Sequence, residues 1–432
     1  MKKIFAALSI ALLATPALAQ SGTNSPYSMY GIGVLSDQGN SFNRGMNGVG
    51  LALRPHNQIN YLNPASYSAV DSLSFIFDAG LSLQMTNFKE GKVSKNANNA
   101  NFEYVVGGFR VARNLGVAFG ILPVSNVGYS FSNSGSLESL DGSNNTTYTN
   151  SYYGSGGLHE VFVGAGWSPF KGFSLGVNGG YLWGEIDRTV SNAYSDSYTK
   201  SLTKNTNFSV GSYKLDFGVQ YQQNLSAKDV LTVGATYGLG HNLNADPTLS
   251  ILSSKRIDAS SVQTDTTTFV AEDGLDLPAQ ISAGVSYAHG TKWTVGVDYT
   301  LQKWSEAKFP VDNGNSYVSK KGVFDDLHKV NAGFEYCQNT EGRSFMSRIR
   351  YRLGASYSTP YLKIDGKDGP SQVAVSAGVG IPIINAYNNR SMLNISAQWV
   401  RNDASGFIKE NTFRINVGFT FNERWFAKWK FE

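Results

Sequence analysis

The stretch that decides the fold runs from Leu277 to Glu306 and reads LPAQISAGVSYAHGTKWTVGVDYTLQKWSE. Apolar side chains occupy every second position on both sides of a tight turn at residues 288–291. The two apolar rows are Ile281, Ala283, Val285 and Tyr287, then Trp293, Val295, Val297, Tyr299 and Leu301. Alternation with period two is typical of a strand with one apolar and one polar face, and about ten residues cross a tilted outer-membrane barrel. The pattern predicts membrane-spanning β-structure.

The start of the chain predicts export. Two lysines precede an apolar run over residues 4–13, and a small-x-small cleavage site ends at Ala19. Residues 1–19 are therefore expected to be a secretory signal peptide. Beyond them no apolar run approaches the ~20 residues of a membrane helix, so a membrane crossing requires a closed barrel. We expect a multi-pass protein in the outer membrane of a Gram-negative bacterium.

The composition agrees with a barrel and argues against other classes. The chain has 25 Phe, 23 Tyr and 7 Trp, which suit aromatic girdles at both membrane interfaces. A hydrophobic content of 41% is too low for a helical membrane protein. The net charge falls from +4 to +2 once Lys2 and Lys3 are removed, so no nucleic-acid partner is expected. The single Cys337 excludes an internal disulfide.

Fourteen segments alternate like strands, and an even number closes an antiparallel barrel with both ends on one side. They are 72–86, 102–111, 114–131, 156–167, 173–186, 208–222, 230–241, 277–288, 292–305, 326–337, 347–358, 372–383, 391–401 and 411–421. Short turns alternate with long polar loops at 132–155, 187–207, 242–276 and 306–325. We expect an N-terminal segment over 20–71 and an all-β transmembrane antiparallel barrel over 72–421. Residues 422–432 either extend the last strand or tuck under the barrel.

Charged residues are expected inside the barrel. In most strands the odd positions are apolar and should face lipid, whereas the even positions are polar and should face the lumen; segment 326–337 inverts this order. The cations of the inward row that could contact an anion are Lys214, Arg348, Arg350, Arg352 and Arg414. Two interpretations remain open, a packed salt-bridge lattice or an anion-binding role for the arginine row. Buried charges must be paired in either case.

Two patches carry a family resemblance. In the first, Pro278 opens a strand, a Gly-x-x-Tyr element ends at Tyr287, and Trp-Thr-x-x-x-Asp-Tyr begins at Trp293, with a Trp-Ser pair at 304–305. In the second, a segment rich in small residues at 45–50 precedes an Asn-Pro-Ala element. The element consists of Asn63, Pro64 and Ala65.

These patches resemble the FadL/TodX family of outer-membrane hydrophobic-compound transporters, which includes long-chain fatty acid transporters. The C-terminal stretch NERWFAKWKFE departs from the family pattern and resembles the ends of Bacteroidetes outer-membrane proteins. The resemblance implies a fourteen-stranded barrel with an N-terminal hatch in its lumen. It makes Asn63, Pro64 and Ala65 the expected hatch motif.

Pro123 interrupts the third predicted strand. Proline donates no ladder hydrogen bond and is confined to strand edges and bulges, so the wall should be kinked or unpaired there. The resemblance implies that a kink in this strand opens a lateral exit into the membrane. The gate candidates are Pro123, Val124, Ser125 and Asn126. An ordinary bulge, or the extracellular end of the strand, is the alternative.

These features favour passive uptake of hydrophobic small molecules such as fatty acids or aromatic hydrocarbons, with membrane lipid and lipopolysaccharide as further contacts. The alternative is a barrel with a permanently plugged lumen that acts in docking, secretion or structure; its partner proteins are unknown. The five histidines show neither metal-ligand spacing nor a catalytic constellation. We therefore expect no enzyme activity, metal or other cofactor.

Overall fold

The computed structural model describes residues 22–137, 146–196, 198–258, 260–314, 316–383 and 391–424. Its main element is a closed antiparallel barrel of fourteen strands, as the sequence predicts. The strands are β1 (Ser74–Glu90), β2 (Val93–Ala112), β3 (Leu115–Leu137), β4 (Thr146–Phe170), β5 (Phe173–Tyr194), β6 (Ser201–Asn224), β7 (Asp229–Gly238), β8 (Gln280–His289), β9 (Trp293–Gln302), β10 (Leu327–Cys337), β11 (Arg350–Ser358), β12 (Ser371–Ile383), β13 (Ser391–Asp403) and β14 (Lys409–Arg424). The barrel closes where β1 pairs with β14.

Burial confirms the predicted direction of the side chains. Val177, Val285 and Val417 are exposed on the outer surface, while their even-numbered neighbours are buried or half-buried. On β10 the order is inverted, and Val330 and Phe334 are exposed. The apolar rows therefore form the lipid-facing surface, and the polar rows line the interior.

The strands differ greatly in length. β3 to β6 contain 22–25 residues, whereas β7, β8 and β9 contain 10 each. Above the membrane a hairpin of Thr248–Arg256 and Val262–Val270 continues the sheet along the upper part of β6. Residues 187–207 and 242–276, expected to be loops, are thus largely strands. Alternation is lost there because strands above the bilayer have no lipid-facing side.

The sheet from β3 to β5 bends above its membrane-spanning part. A bulge lies between Pro123 and Ser125, and the adjacent residues Gly156 and Gly157 of β4 have φ values of +113° and +147°. Gly184 of β5 continues the line with φ +155°. A Cβ at Gly157 would collide with the Ser125 carbonyl oxygen, so the bend depends on glycine. Beyond the bend, Val127, Tyr129 and Ile186 are buried.

Residues 22–73 form the N-terminal segment, which contacts the inward-facing side chains of the barrel. It contains short helices at Pro26–Met29, Ser41–Gly45 and Pro64–Ala69 and a strand at Val34–Leu35. The remaining small elements are the helices Trp304–Glu306 and Phe345–Arg348 and the strand pairs His241–Asn242 with Asp276–Leu277, Phe309–Asp312 with Tyr317–Lys320, and Lys363–Ile364 with Lys367–Asp368.

The last strand ends at Arg424, so residues 422–424 continue β14. The remainder of the 422–432 stretch and the predicted signal peptide lie outside the described residues. Within the described chain, no helix has the length and apolar character needed to span a membrane.

Candidate functional site: the filled lumen

Asn63, Pro64 and Ala65 attach the N-terminal segment to the wall. Asn63 is fully buried and caps the short helix Pro64–Ala69, its Oδ1 accepting the Ala65 N–H at 3.1 Å. Its Nδ2 lies 2.9 Å from the Leu51 carbonyl oxygen and 3.2 Å from that of Val219 on β6. One amide thus caps a helix, closes a loop of the segment and contacts the barrel wall.

A belt of inward-facing glycines surrounds the segment. At ten of them a Cβ would meet an atom of the N-terminal segment first, at collision distance. The glycine belt comprises Gly108, Gly116, Gly166, Gly176, Gly218, Gly234, Gly296, Gly333, Gly354 and Gly418. At Gly176, for example, the added atom would collide with the Pro64 carbonyl carbon. The nearest atom belongs to the backbone of the segment at five of the ten positions and to one of its side chains at the other five, so the wall has no room for a side chain of its own there.

The belt follows the register of the sheet. Gly116 pairs with Gly166, Gly166 with Gly176, and Gly176 with Gly218, so four neighbouring strands carry glycine at one level. Gly296, Gly333 and Gly354 form a second run across β9, β10 and β11. The sequence analysis did not identify the glycine belt. The signal was nevertheless visible in the sequence, as glycine at inward positions of successive strands.

One buried ion pair and two partly exposed ones connect the segment to the wall. Arg44 donates to Glu103 of β2 at 2.7 Å, and both side chains are buried. Asp37 accepts from Arg414 at 2.6 Å and from Lys329 at 3.3 Å. Removing one partner of such a buried pair leaves an uncompensated charge, which costs about 3–5 kcal/mol. These contacts hold the segment in one position.

The predicted inward cations are paired within the wall as well. Glu335 accepts from Arg350 at 2.5 Å and from Arg352 at 2.7 Å. Lys214 lies 2.9 Å from Glu160 and 2.8 Å from Asp216. With Arg414, four of the five candidates contact a carboxylate, the arrangement expected of a salt-bridge lattice.

Arg348 is a correction, because it does not belong to the inward row of a strand. It ends the short helix Phe345–Arg348, and β11 begins only at Arg350. The ladder between β10 and β11 stops at Cys337 and Arg350, and the Asn339 N–H then donates to the Ser347 carbonyl oxygen at 2.8 Å. The turn satisfies its own backbone hydrogen bonds. The alternation of arginines in the sequence therefore continues beyond the end of the strand.

Apolar side chains close the mouth above the segment. The buried mouth cluster combines residues from the segment, from β3 to β6 and from the extracellular loops. Its members include Ile32, Val127, Tyr129, Leu158, Ile186, Phe208, Leu243, Leu275, Trp304, Phe309, Phe324 and Leu362. The Trp304 and Tyr361 rings stack with centroids 5.3 Å apart, and burial raises the pKa of Tyr361 against a smaller opposite effect of Arg188.

A cavity of about 220 Å³ remains between the N-terminal segment and the wall from β8 to β13. Its lining combines polar side chains such as Asp37, Lys329 and Gln398 with apolar ones such as Leu62 and Leu327.

β2 and β3 separate above the membrane-spanning part, and the N-terminal segment occupies the gap. Their ladder reaches Val105 and Ile121, and no pairing between them extends farther along the described strands. Beyond that point Val34 and Leu35 pair with Asn126 and Ser125 as an added strand. On the β2 side of the gap, Asn101 donates to the Gly22 carbonyl oxygen of the segment at 2.8 Å.

The four gate candidates all lie at this gap. The Pro123 carbonyl accepts from Gln38 at 3.2 Å, and the Val124 carbonyl accepts from the Ser36 N–H at 3.0 Å. Ser125 is buried and accepts the Leu158 N–H at 3.3 Å, while Asn126 donates to the Ser36 hydroxyl at 2.9 Å. The bulge leaves backbone groups that the segment satisfies.

Among the described residues, no group of three or more His, Cys, Asp or Glu side chains is arranged to hold a metal ion.

The closed fourteen-stranded antiparallel barrel has the FadL-like fold. The Ralstonia pickettii toluene transporter TbuX matches with a TM-score of 0.58 at 14% identity, covering 89% of this chain and 98% of its own. The P. putida toluene transporter TodX gives 0.57 at 14% identity, with 91% and 100% covered. A Pseudomonas aeruginosa FadL homologue gives 0.56 at 12% identity, with 90% and 98% covered.

Sequence comparison places the chain in a particular family. A family model described as BamG matches residues 1–432, so the chain belongs to the BamG family. No curated protein matches it in sequence. At 12–14% identity the solved structures share the fold with this chain, and what they transport is stated for them alone.

Proposed function

We propose that this chain is a permanently sealed outer-membrane barrel, which acts as a structural or docking protein for other envelope proteins. The observation that carries the proposal is the glycine belt, because the N-terminal segment lies directly against ten glycines of the wall, with its backbone nearest at five of them. A plug that moves aside requires an interface that can be rehydrated and repacked.

Electrostatics support the same function. Displacing the segment would separate Arg44 from Glu103 and leave Asp298 without the N–H groups of Gly50 and Leu51, which donate to it at 2.6 and 2.9 Å. Each unpaired buried charge costs several kcal/mol. The buried mouth cluster also closes the lumen of the described structure above the N-terminal segment.

A second function is favoured by one observation, the separation of β2 and β3 beside Pro123. Passive uptake of a hydrophobic small molecule, such as a long-chain fatty acid or an aromatic hydrocarbon, would use this gap as a lateral exit. The residues of the segment at the gap, Val34 to Ser36, would then have to leave β3. Neither function requires a catalytic residue.

A disulfide between the segment and β3 separates the two functions. Val34 and Asn126 are register partners, and such Cα atoms lie about 4.5–5.5 Å apart, within the range that a disulfide spans. The variant is Val34→Cys with Asn126→Cys in a Cys337→Ala background, and Val34→Cys alone is the control. Uptake of labelled oleate and toluene is measured in cells that carry wild type, the oxidised variant or no protein.

For a sealed barrel, uptake is the same in all three strains. The sealed barrel would be overturned, and the lateral route established, if wild type raised uptake, oxidation of the variant abolished it and reductant restored it. Uptake that wild type raises and oxidation leaves unchanged would contradict both proposals.

The docking role has its own measurement. A photo-crosslinking residue is placed on the outer surface at Val177, Val285 or Val417, which lie on β5, β8 and β14. We expect one discrete protein adduct from one of these faces in living cells. Lipid adducts alone from outward positions on every strand would contradict a docking role.

A further inference from the structure

A cluster of cations lies on the outer surface of the seam between β13, β14 and β1. Trp399, Phe413 and Met85 are register neighbours, exposed on the outer surface, and they form the last apolar level of this face. One step farther from the membrane the outward side chains are Arg401, Asn411 and Asn87. The change from apolar to polar marks the outer boundary of the hydrocarbon layer.

Two lysines lie at the next level. Lys89 and Lys409 are direct register partners on β1 and β14, and both are exposed. Cβ atoms of such partners are about 4.5–5.5 Å apart, and like charges there repel each other. Together with Arg401 they concentrate positive charge at the height of the lipid headgroups.

Acidic side chains neutralise this cluster only in part. Asp403 accepts from Arg401 at 2.6 Å and from Lys409 at 3.2 Å. Among the described residues, no acidic group forms an ion pair with Lys89. An anion that bridges Lys89 and Lys409 would remove the repulsion between them.

The basic character is local to this seam. On β5 the outward residues at a comparable position above Trp183 are Glu185 and Asp187, which accept from Asn207 at 2.6 and 2.7 Å. Connections at the basic seam are also short, since β1 turns into β2 at Gly91 and five residues join β13 to β14. Headgroups can therefore reach the three cations directly.

We infer that Lys89, Arg401 and Lys409 form a binding site for the phosphate of an outer-leaflet glycolipid. Its acyl chains would lie on the apolar level of Trp399, Phe413 and Met85, and its phosphate would accept from the cations above them. The amides of Asn87 and Asn411 lie between these two levels. This site is on the lipid-facing surface and does not depend on whether the lumen conducts.

Binding of bis-phosphorylated lipid A to the purified full-length protein in maltoside micelles tests the site. The variant is Lys89→Gln with Lys409→Gln, and the matched control is Lys320→Gln with Lys321→Gln on an extracellular loop. Two lysines near a headgroup surface together contribute a factor of about 10–30 in affinity. We expect that loss in the variant and less than a twofold change in the control, measured by native mass spectrometry.

The assignment would be overturned by unchanged affinity in the Lys89 and Lys409 variant, by equal affinity for enzymatically dephosphorylated lipid A, or by an equal loss in the control. Inorganic phosphate is added as a competitor, and displacement at millimolar concentration would overturn the lipid assignment in favour of a free-phosphate site. Because both lysines are exposed, the variant should fold; Lys89→Gln alone provides a milder change with the same expected direction.

Discussion

At the scale of the residue, single glycines determine whether the lumen can be filled. Gly176 faces inward on β5 against the backbone of Pro64, while Gly179 on the same strand faces outward with only Leu215 nearby, at 3.8 Å from an added Cβ. Gly176→Val should destabilise the barrel by about 1–3 kcal/mol or more, since the segment must shift to admit the side chain. Gly179→Val is the control.

The measurement is the temperature at which the folded, fast-migrating form is lost on denaturing gels. We expect a lower midpoint for Gly176→Val and a midpoint near wild type for Gly179→Val. Equal midpoints in the two variants would mean that the segment and the wall are not in tight contact.

At the scale of the element, the bend of β3, β4 and β5 holds the mouth shut. Gly157→Val would place a branched residue at φ +147°, against the Ser125 carbonyl oxygen. The upper strands should then lean away and loosen the mouth cluster, while the membrane-spanning part stays assembled. Limited proteolysis should cut residues 303–326 faster than in wild type or in Gly179→Val. An unchanged cleavage rate would show that the bend does not close the mouth.

Strands could be predicted from the sequence only where they cross the lipid bilayer, because contact with lipid imposes a pattern on their residues. Period-two alternation identified all fourteen strands because each crosses the bilayer with one face in hydrocarbon. The same reasoning ended β5 too early and began β6 too late, since residues 187–207 lie above the membrane. Arg348 was misplaced because alternation continues through a turn that satisfies its own backbone. The pairing of Val34 and Leu35 with β3 joins residues about ninety positions apart, which no local pattern reports.

At the scale of the whole molecule, the barrel should not conduct. The N-terminal segment, the mouth cluster and the ion pairs fill much of the lumen, and the described residues enclose cavities of about 220 and 70 Å³. Wild type reconstituted in planar bilayers should add no steady conductance, whereas a chain lacking residues 22–66 should give large open channels if its folded form is retained. A folded deletion variant that stays as tight as wild type would show that the segment is not the plug.

The glycine belt also has a consequence for the order of assembly. A closed ring that touches the backbone of its contents on many sides cannot be filled after it has closed. The helix Ser41–Gly45 lies under the closing seam, where Gly418 of β14 contacts Ser41 and Asn416 accepts from Arg44 at 3.2 Å. The wall strands therefore assemble around the N-terminal segment. The last ladder to form, between β1 and β14, closes over residues that are already in place.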